Sequence, residues 1–239
     1  MHRNANPIRF LKFANAASPW IGGAMVLGFV IGLYLALFAS PADYQQSDTV
    51  RIMYIHVPAA WMAVLTYALM ATASAAALIW QHPLAFFSAK AAAPIGAAFT
   101  IICLATGSLW GKPMWGTWWV WDARLTSVLI LLFLYLGYLA LVNAFDDPER
   151  GQKAASLLAV VGVINLPIIK YSVDWWNTLH QPASVIRLDG PAIHPDMLWP
   201  LLIMAFAFKM FLMFTLIIRI KGELVAASLR NAQLGLQEG

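Results

Sequence analysis

Two histidines and a run of tryptophans hold most of the chemistry this chain can offer. His56 sits in RIMYIHVPAAW and His180 in DWWNTLHQPAS. Each precedes or follows an apolar stretch, so both fall at similar depth on one side of the chain's membrane-spanning region. A lone histidine here reads as a structural residue. A pair can supply two neutral imidazoles to one metal ion. Zinc would want a third and fourth ligand spaced with them, and none is. Iron in a porphyrin already has four ring nitrogens and leaves two axial positions, which two histidines from separate segments can fill.

The tryptophans match a flat ligand. Trp20 and Trp80 stand near one pair of helix ends, where an interfacial aromatic belt accounts for them. Trp61, Trp110, Trp115, Trp118, Trp119, Trp121, Trp175, Trp176 and Trp199 all fall on the side of His56 and His180. A belt places one or two tryptophans at a helix end. It does not easily account for Trp115, Trp118, Trp119 and Trp121 within LWGKPMWGTWWVWDARLT. In that segment Gly111, Pro113 and Gly116 are expected to break regular structure. If 117–126 is helical, Trp118, Trp121 and Asp122 share a face. Such a face would be broad and apolar, with indole N–H groups at its rim, and suited to a flat aromatic ligand. Arg124 either pairs with a ligand carboxylate or snorkels to the interface. Asp122 either joins that surface or caps a turn. Arg51 and Arg187 lie on the same side and can also meet carboxylates. His2, His82 and His194 read as loop or boundary residues.

The elements that must position these groups are membrane helices. Of 239 residues, 61% are hydrophobic and only 11% charged, with a mean hydropathy of +0.70. A soluble domain carries about 25% charged residues. The expected fold is all-α, one polytopic bundle over 1–239 with six spans at about 20–39, 55–80, 91–109, 125–145, 154–169 and 198–220. The first apolar run is too long for a cleaved signal. Residues 110–126 form a tryptophan-rich outer segment, 170–197 an outer loop, and 221–239 a tail that lies on the surface or is partly disordered. Pro167 and Asn165 mark a break in the short fifth span. Asn143 reads as an interhelical hydrogen bond. Lys209, inside the sixth run, snorkels, faces the bundle interior, or binds a partner or lipid.

Basic residues set the orientation. Arg3, Arg9, Lys12, Lys90, Arg150, Lys153, Arg219, Lys221 and Arg230 fall in one set of connecting segments. Arg51, Lys112, Arg124, Lys170 and Arg187 fall in the other. The bias puts both termini in the cytoplasm and the tryptophans outside. The lone Cys103 excludes an internal disulfide and a CxxC site. No P-loop, dinucleotide fingerprint, nucleophile elbow or HExxH motif is present. A solute transporter, or a haem-bearing anchor subunit reducing quinone, stands as an alternative class. The first would need ionisable residues along a midplane path, and the second a haem between helices rather than at one surface.

WGTWWVWDARLTS at 115–127 resembles the WWD signature of a family of haem-handling membrane proteins. RIMYIHVPAAW and YSVDWWNTLHQ extend the likeness over nearly the whole chain, toward the members that serve cytochrome c maturation. The resemblance implies a multi-pass protein of the bacterial inner membrane that binds haem b transiently at the periplasmic face and is not an enzyme. It implies His56 and His180 as axial ligands of the iron. It implies Trp115, Gly116, Trp118, Trp119, Trp121 and Asp122 as the haem-presenting surface, beside Arg124. The implied partners are a periplasmic haem chaperone (CcmE), a small single-span subunit (CcmD), an ATP-binding cassette pair (CcmA and CcmB) and the lipid bilayer, with no nucleic acid. A part in haem export, or in attaching haem to the chaperone, is also implied.

Overall fold

The computed structural model describes residues 6–182, 184, 185 and 187–237, excepting the side chains of 231 and 234–237. His2 and Arg3, positions 183 and 186 of the outer loop, and the last two residues of the tail lie outside this set. Among the described residues every regular element is a helix. Six helical segments are long and apolar enough to cross a membrane.

α1 (Pro7–Tyr34) begins where the Asn6 side chain accepts from Ile8 N at 2.8 Å, with Pro7 at the first helical position. Both features satisfy or remove donors that a helix start leaves open. It ends in a widened turn, Leu35–Ala39. There the Arg51 guanidinium donates to Ala36 O at 2.8 Å and to Asp48 Oδ1 at 3.0 Å. A cation is favoured at a helix C-terminus by its free carbonyls. A short 3₁₀ turn, Asp48–Ile52, leads into α2 (Met53–Trp80). α3 (Pro83–Trp115) returns antiparallel after a tight turn at Gln81 and His82. α4 (Ala123–Val142) follows the tryptophan-rich loop.

The fifth crossing is two helices, α5 (Pro148–Gly162) and α6 (Asn165–Trp175). Pro167 has no N–H to continue a helix from α5, but it is tolerated in the first turn of a new one. The chain therefore breaks at Val163 and Ile164, as Asn165 and Pro167 suggested. At the break the backbone is held by turn bonds, Val163 N to Val160 O at 3.3 Å and Leu166 N to Val163 O at 2.9 Å, and the buried Asn165 donates through Nδ2 to Ser127 O of α4 at 2.9 Å. The break thus fixes α6 against the start of α4.

α7 (Pro195–Gln237) has 43 residues, roughly 65 Å of helix. It overshoots a hydrocarbon core of about 30 Å. The segment from 221 to 237 neither turns along a surface nor loses its helix; it continues α7. Lys90 Nζ to Glu223 at 2.8 Å and Lys221 Nζ to Asn15 at 2.6 Å hold this extension to α3 and α1.

The core lies where α2, α3, α4 and α7 meet. Tyr135 of α4 is fully buried and donates to Ala63 O of α2 at 2.8 Å. α1 packs on α7 through Gly28 and Gly32. A Cβ at Gly28 would stand 3.1 Å from that of Ala207, and one at Gly32 would stand 2.7 Å from Met204 Sδ. Small residues four apart let two helices approach closely in lipid. Two polar expectations change. Asn143 donates to Leu139 O of its own helix at 2.9 Å, because it sits at the helix end where a carbonyl is free. Lys209 is exposed on α7 and does not face the bundle interior.

Candidate functional site

Helix polarity brings the start of α2, the end of α3, the start of α4 and the end of α6 to one end of the bundle. His56 lies in the first turns of α2, partly buried against α3. Its Nδ1 is 3.1 Å from Cys103 O and 3.1 Å from Thr106 Oγ1. The Thr106 hydroxyl spends its own proton on Ile102 O at 2.6 Å. Both neighbours of Nδ1 are therefore acceptors, and the ring proton must sit on Nδ1. Nε2 then carries the lone pair and is the free ligand atom. Gly107 makes room for the ring, since a Cβ there would meet His56 Cε1 at 3.0 Å. Trp110 closes the other side, edge-on with centroids 5.7 Å apart, its Nε1 donating to Gln46 at 2.9 Å.

α3 runs further than its composition suggested. Gly111 and Pro113 lie inside the helix and do not break it. Gly111 is buried beneath the Trp115 ring, where a Cβ would come 3.1 Å from the indole. Only Gly116 stops the helix, with φ of +76° and its N–H on Lys112 O at 3.1 Å. That left-handed position is one glycine adopts without penalty. The next helix starts at Ala123, so 117–122 is a loop and the face shared by Trp118, Trp121 and Asp122 does not form. Thr117 bends the loop instead, its hydroxyl donating to Trp119 O at 3.0 Å. Asp122 caps α4, Oδ1 accepting from Leu125 N at 2.7 Å.

Asp122 does more than cap. Its second oxygen accepts from Leu179 N at 3.4 Å and lies 3.7 Å from His180 Nδ1. The carboxylate side chain is only 8% exposed and the imidazole 21%. At that separation the two form no hydrogen bond, and His180 Nδ1 is buried with no bonding partner. Trp115 packs edge-on against the His180 ring at 5.2 Å. Burial pushes the imidazole below its usual pKa; Asp122 opposes that shift and Arg124 adds to it. His180 is therefore neutral at pH 7 and able to act as a ligand. His56 beside Trp110 and His180 beside Trp115 both pack on the last turns of α3.

Around the histidines the aromatic surface is open. Trp118 is 55% exposed and Trp121 77%. Lys112 Nζ stands 6.0 Å from the Trp118 ring centre. Trp119 packs edge-on to Trp121 with its own Nε1 buried and unpaired. At the end of α6, Tyr171 stacks on Trp175 at 5.3 Å, and Trp175 meets Trp176 edge-on. The arginines have protein partners. Arg124 Nε donates to Ser172 Oγ at 2.9 Å and its NH2 group to Lys170 O at 3.4 Å, tying α4 to α6. Arg187 pairs with Asp189, and Arg51 holds the end of α1.

The structure thus gathers His56, His180, Trp115 and Asp122 around the end of α3, with Trp118, Trp119 and Trp121 on the adjoining loop. It adds Cys103, Thr106 and Gly107, which spacing alone does not join to the site, and it seats the outer Trp110 against His56. Their spacing of three and four residues puts them on one face of α3, a pattern hidden within a uniformly apolar run.

The chain is similar over most of its length to known proteins. A family model described as Heme exporter protein C (CcmC) matches residues 1–234. The chain is 54% identical over 230 residues to Heme exporter protein C of Bradyrhizobium diazoefficiens, covering 96% of this chain and 87% of that one. It is 50% identical over 200 residues to Heme exporter protein C of Escherichia coli K12, covering 83% and 82%. A ccmC-like mitochondrial protein of Marchantia polymorpha, named for cytochrome c biosynthesis, is 51% identical over 178 residues, covering 74% and 75%.

Proposed function

The chain belongs to the Heme exporter protein C (CcmC) family, multi-pass membrane proteins that handle haem for cytochrome c maturation, and from that premise we propose that it binds haem b at the periplasmic face of the bacterial inner membrane and presents it to the haem chaperone CcmE. His56 and His180 hold the iron. Trp115, Trp118, Trp119 and Trp121 cover the ring, with Gly116 shaping the turn that presents them. Asp122 orients His180, and both termini lie in the cytoplasm.

The carrying observation is the pair of imidazoles at one end of the bundle, one of which has its tautomer fixed with Nε2 free. Among the described residues no three of His, Cys, Asp and Glu gather into a metal-binding group. An ion held here must bring most of its ligands with it, as porphyrin iron does. The buried, unpaired His180 Nδ1 and Trp119 Nε1 are polar atoms in want of partners beside that pair. These features fit haem as cargo. The exposure of Trp118 and Trp121 suits a ring that must be reached by a second protein and released, because a deeply enclosed site would bind more tightly but give up its cargo slowly. Arg124 contributes by holding α4 to α6 and is a candidate for a haem carboxylate only through donors its present partners leave free.

CcmD and the ATP-binding cassette pair CcmA and CcmB are the proposed membrane partners. Any ATP use falls to that pair, since this chain carries no nucleotide-binding motif. The proposal is tested by co-purification with CcmE from membranes supplied with or depleted of haem. Capture of CcmE that requires haem and is lost on replacing Trp118 and Trp121 supports it. Capture that ignores both would assign this surface to protein docking alone.

A further inference from the structure

Lys209 stands at the centre of the apolar part of α7. Trp199 lies ten residues before it and Arg219 ten residues after, about 15 Å of helix in each direction. A hydrocarbon core of about 30 Å therefore has Lys209 at its midplane. A lysine side chain reaches roughly 6 Å from its backbone, less than half of the way to either interface, so snorkelling does not bring the ammonium to water. The side chain is exposed on the bundle surface. It takes part in no hydrogen bond or ion pair among the described residues, whereas Lys90 and Lys221 are both paired. A cation facing lipid at this depth is unfavourable unless something pairs with it.

The surface on the same stripe of α7 is shaped for a helix. Leu216, two turns further on, borders a shallow apolar groove. Small side chains make up most of its lining, Thr72, Ala73 and Ala76 of α2 with Ser88 and Ala92 of α3, and Leu69 and Ile220 complete it. Small residues let the backbone of a second transmembrane helix come close enough for dispersion contacts and hydrogen bonds to hold it. Charge and shape thus select one kind of occupant. We propose that Lys209 and the groove beside Leu216 form a docking surface for a transmembrane helix of another chain that carries an Asp or Glu carboxylate at mid-membrane depth. The ion pair fixes the depth and rotation of the incoming helix, and the mostly small-residue lining supplies the contact area.

The test uses the full chain in its native membranes, with a photoreactive residue at Met213, exposed on the Lys209 side of α7, and at Val30, exposed on α1. The expected result is a Met213 adduct with a different protein whose apolar span contains an acidic residue. Lys209→Leu should lower its yield at least tenfold, and Lys209→Arg should keep it. Lys209→Glu should lose the adduct and regain it when the partner's acid is changed to lysine. An adduct with lipid alone or with a second copy of this chain would overturn the proposal. So would a yield that Lys209→Leu leaves unchanged, an equal yield of the same adduct from Val30, or no rescue by the charge swap.

Discussion

Asp122 joins the start of α4 to His180 through a single carboxylate. One oxygen closes the helix at Leu125 N, 2.7 Å away, and the other lies 3.7 Å from the imidazole. The last residue of the WWD signature thus carries a structural duty and a positioning duty at once, and the two can be separated. Asp122→Asn keeps an acceptor for the cap and removes the charge; Asp122→Ala removes both. Asparagine should hold thermal stability within a few tenths of a kcal/mol while weakening haem binding. Alanine should also cost about 1 kcal/mol of stability. Thermal unfolding in detergent beside haem titration reads the two effects.

The titration of His180 has a definite sign. Burial is the leading influence and lowers its pKa. The folded protein therefore takes up this proton at lower pH than the unfolded chain does. Its stabilising contribution is complete above about 6.5, the ordinary imidazole value, and is lost as pH falls toward the folded pKa. Because Asp122 pulls the pKa upward, Asp122→Asn should move the His180 titration lower still. NMR of the ring protons in the haem-free protein measures both; an unshifted titration in the variant would remove Asp122 from the electrostatics of the site.

Gly107 is expected to be sensitive because of what it faces. An added methyl would stand 3.0 Å from His56 Cε1, so the ring must move by a few tenths of an ångström in Gly107→Ala and further in Gly107→Val. Haem affinity should fall in that order, while the helical circular dichroism of the apolar spans stays unchanged. Equal haem affinity in both would mean that the orientation of His56 does not matter.

Asn165 offers a stability test remote from the cargo. Its side-chain amide, at the break in the fifth crossing, donates to Ser127 O of α4. Asn165→Ala should cost about 0.5–1.5 kcal/mol through the lost bond, since Ser127 O keeps its place in the helical ladder of α4. Since the same contact seats α6 beside Arg124 and Ser172, cysteine cross-linking between positions 124 and 172 should become less efficient.

Much of this was legible in the chain because membrane helices announce themselves. Apolar length marked six crossings, and Asn165 with Pro167 marked the broken one. Their true ends were not legible. Lipid composition stops being informative at the interface, so helix continued through Gly111 and Pro113, and again past Lys221. Secondary structure in the tryptophan loop is hidden for a local reason. Gly116 in the left-handed region and the Asp122 cap divide two helices, which the spacing of Trp118 and Trp121 cannot reveal. The residues that fix His56 were hidden for the opposite reason. Cys103, Thr106 and Gly107 lie in a stretch where nearly every residue is apolar or small, and only contact with His56 distinguishes them.

The central claim is that His56 and His180 hold one haem between them. The direct measurement is the visible spectrum of the detergent-purified protein, reduced, in the parent and in His56→Ala and His180→Ala. The parent should show the sharp bands of iron with two imidazole ligands, and each single variant should weaken or broaden them. Unchanged spectra in both variants would contradict the assignment.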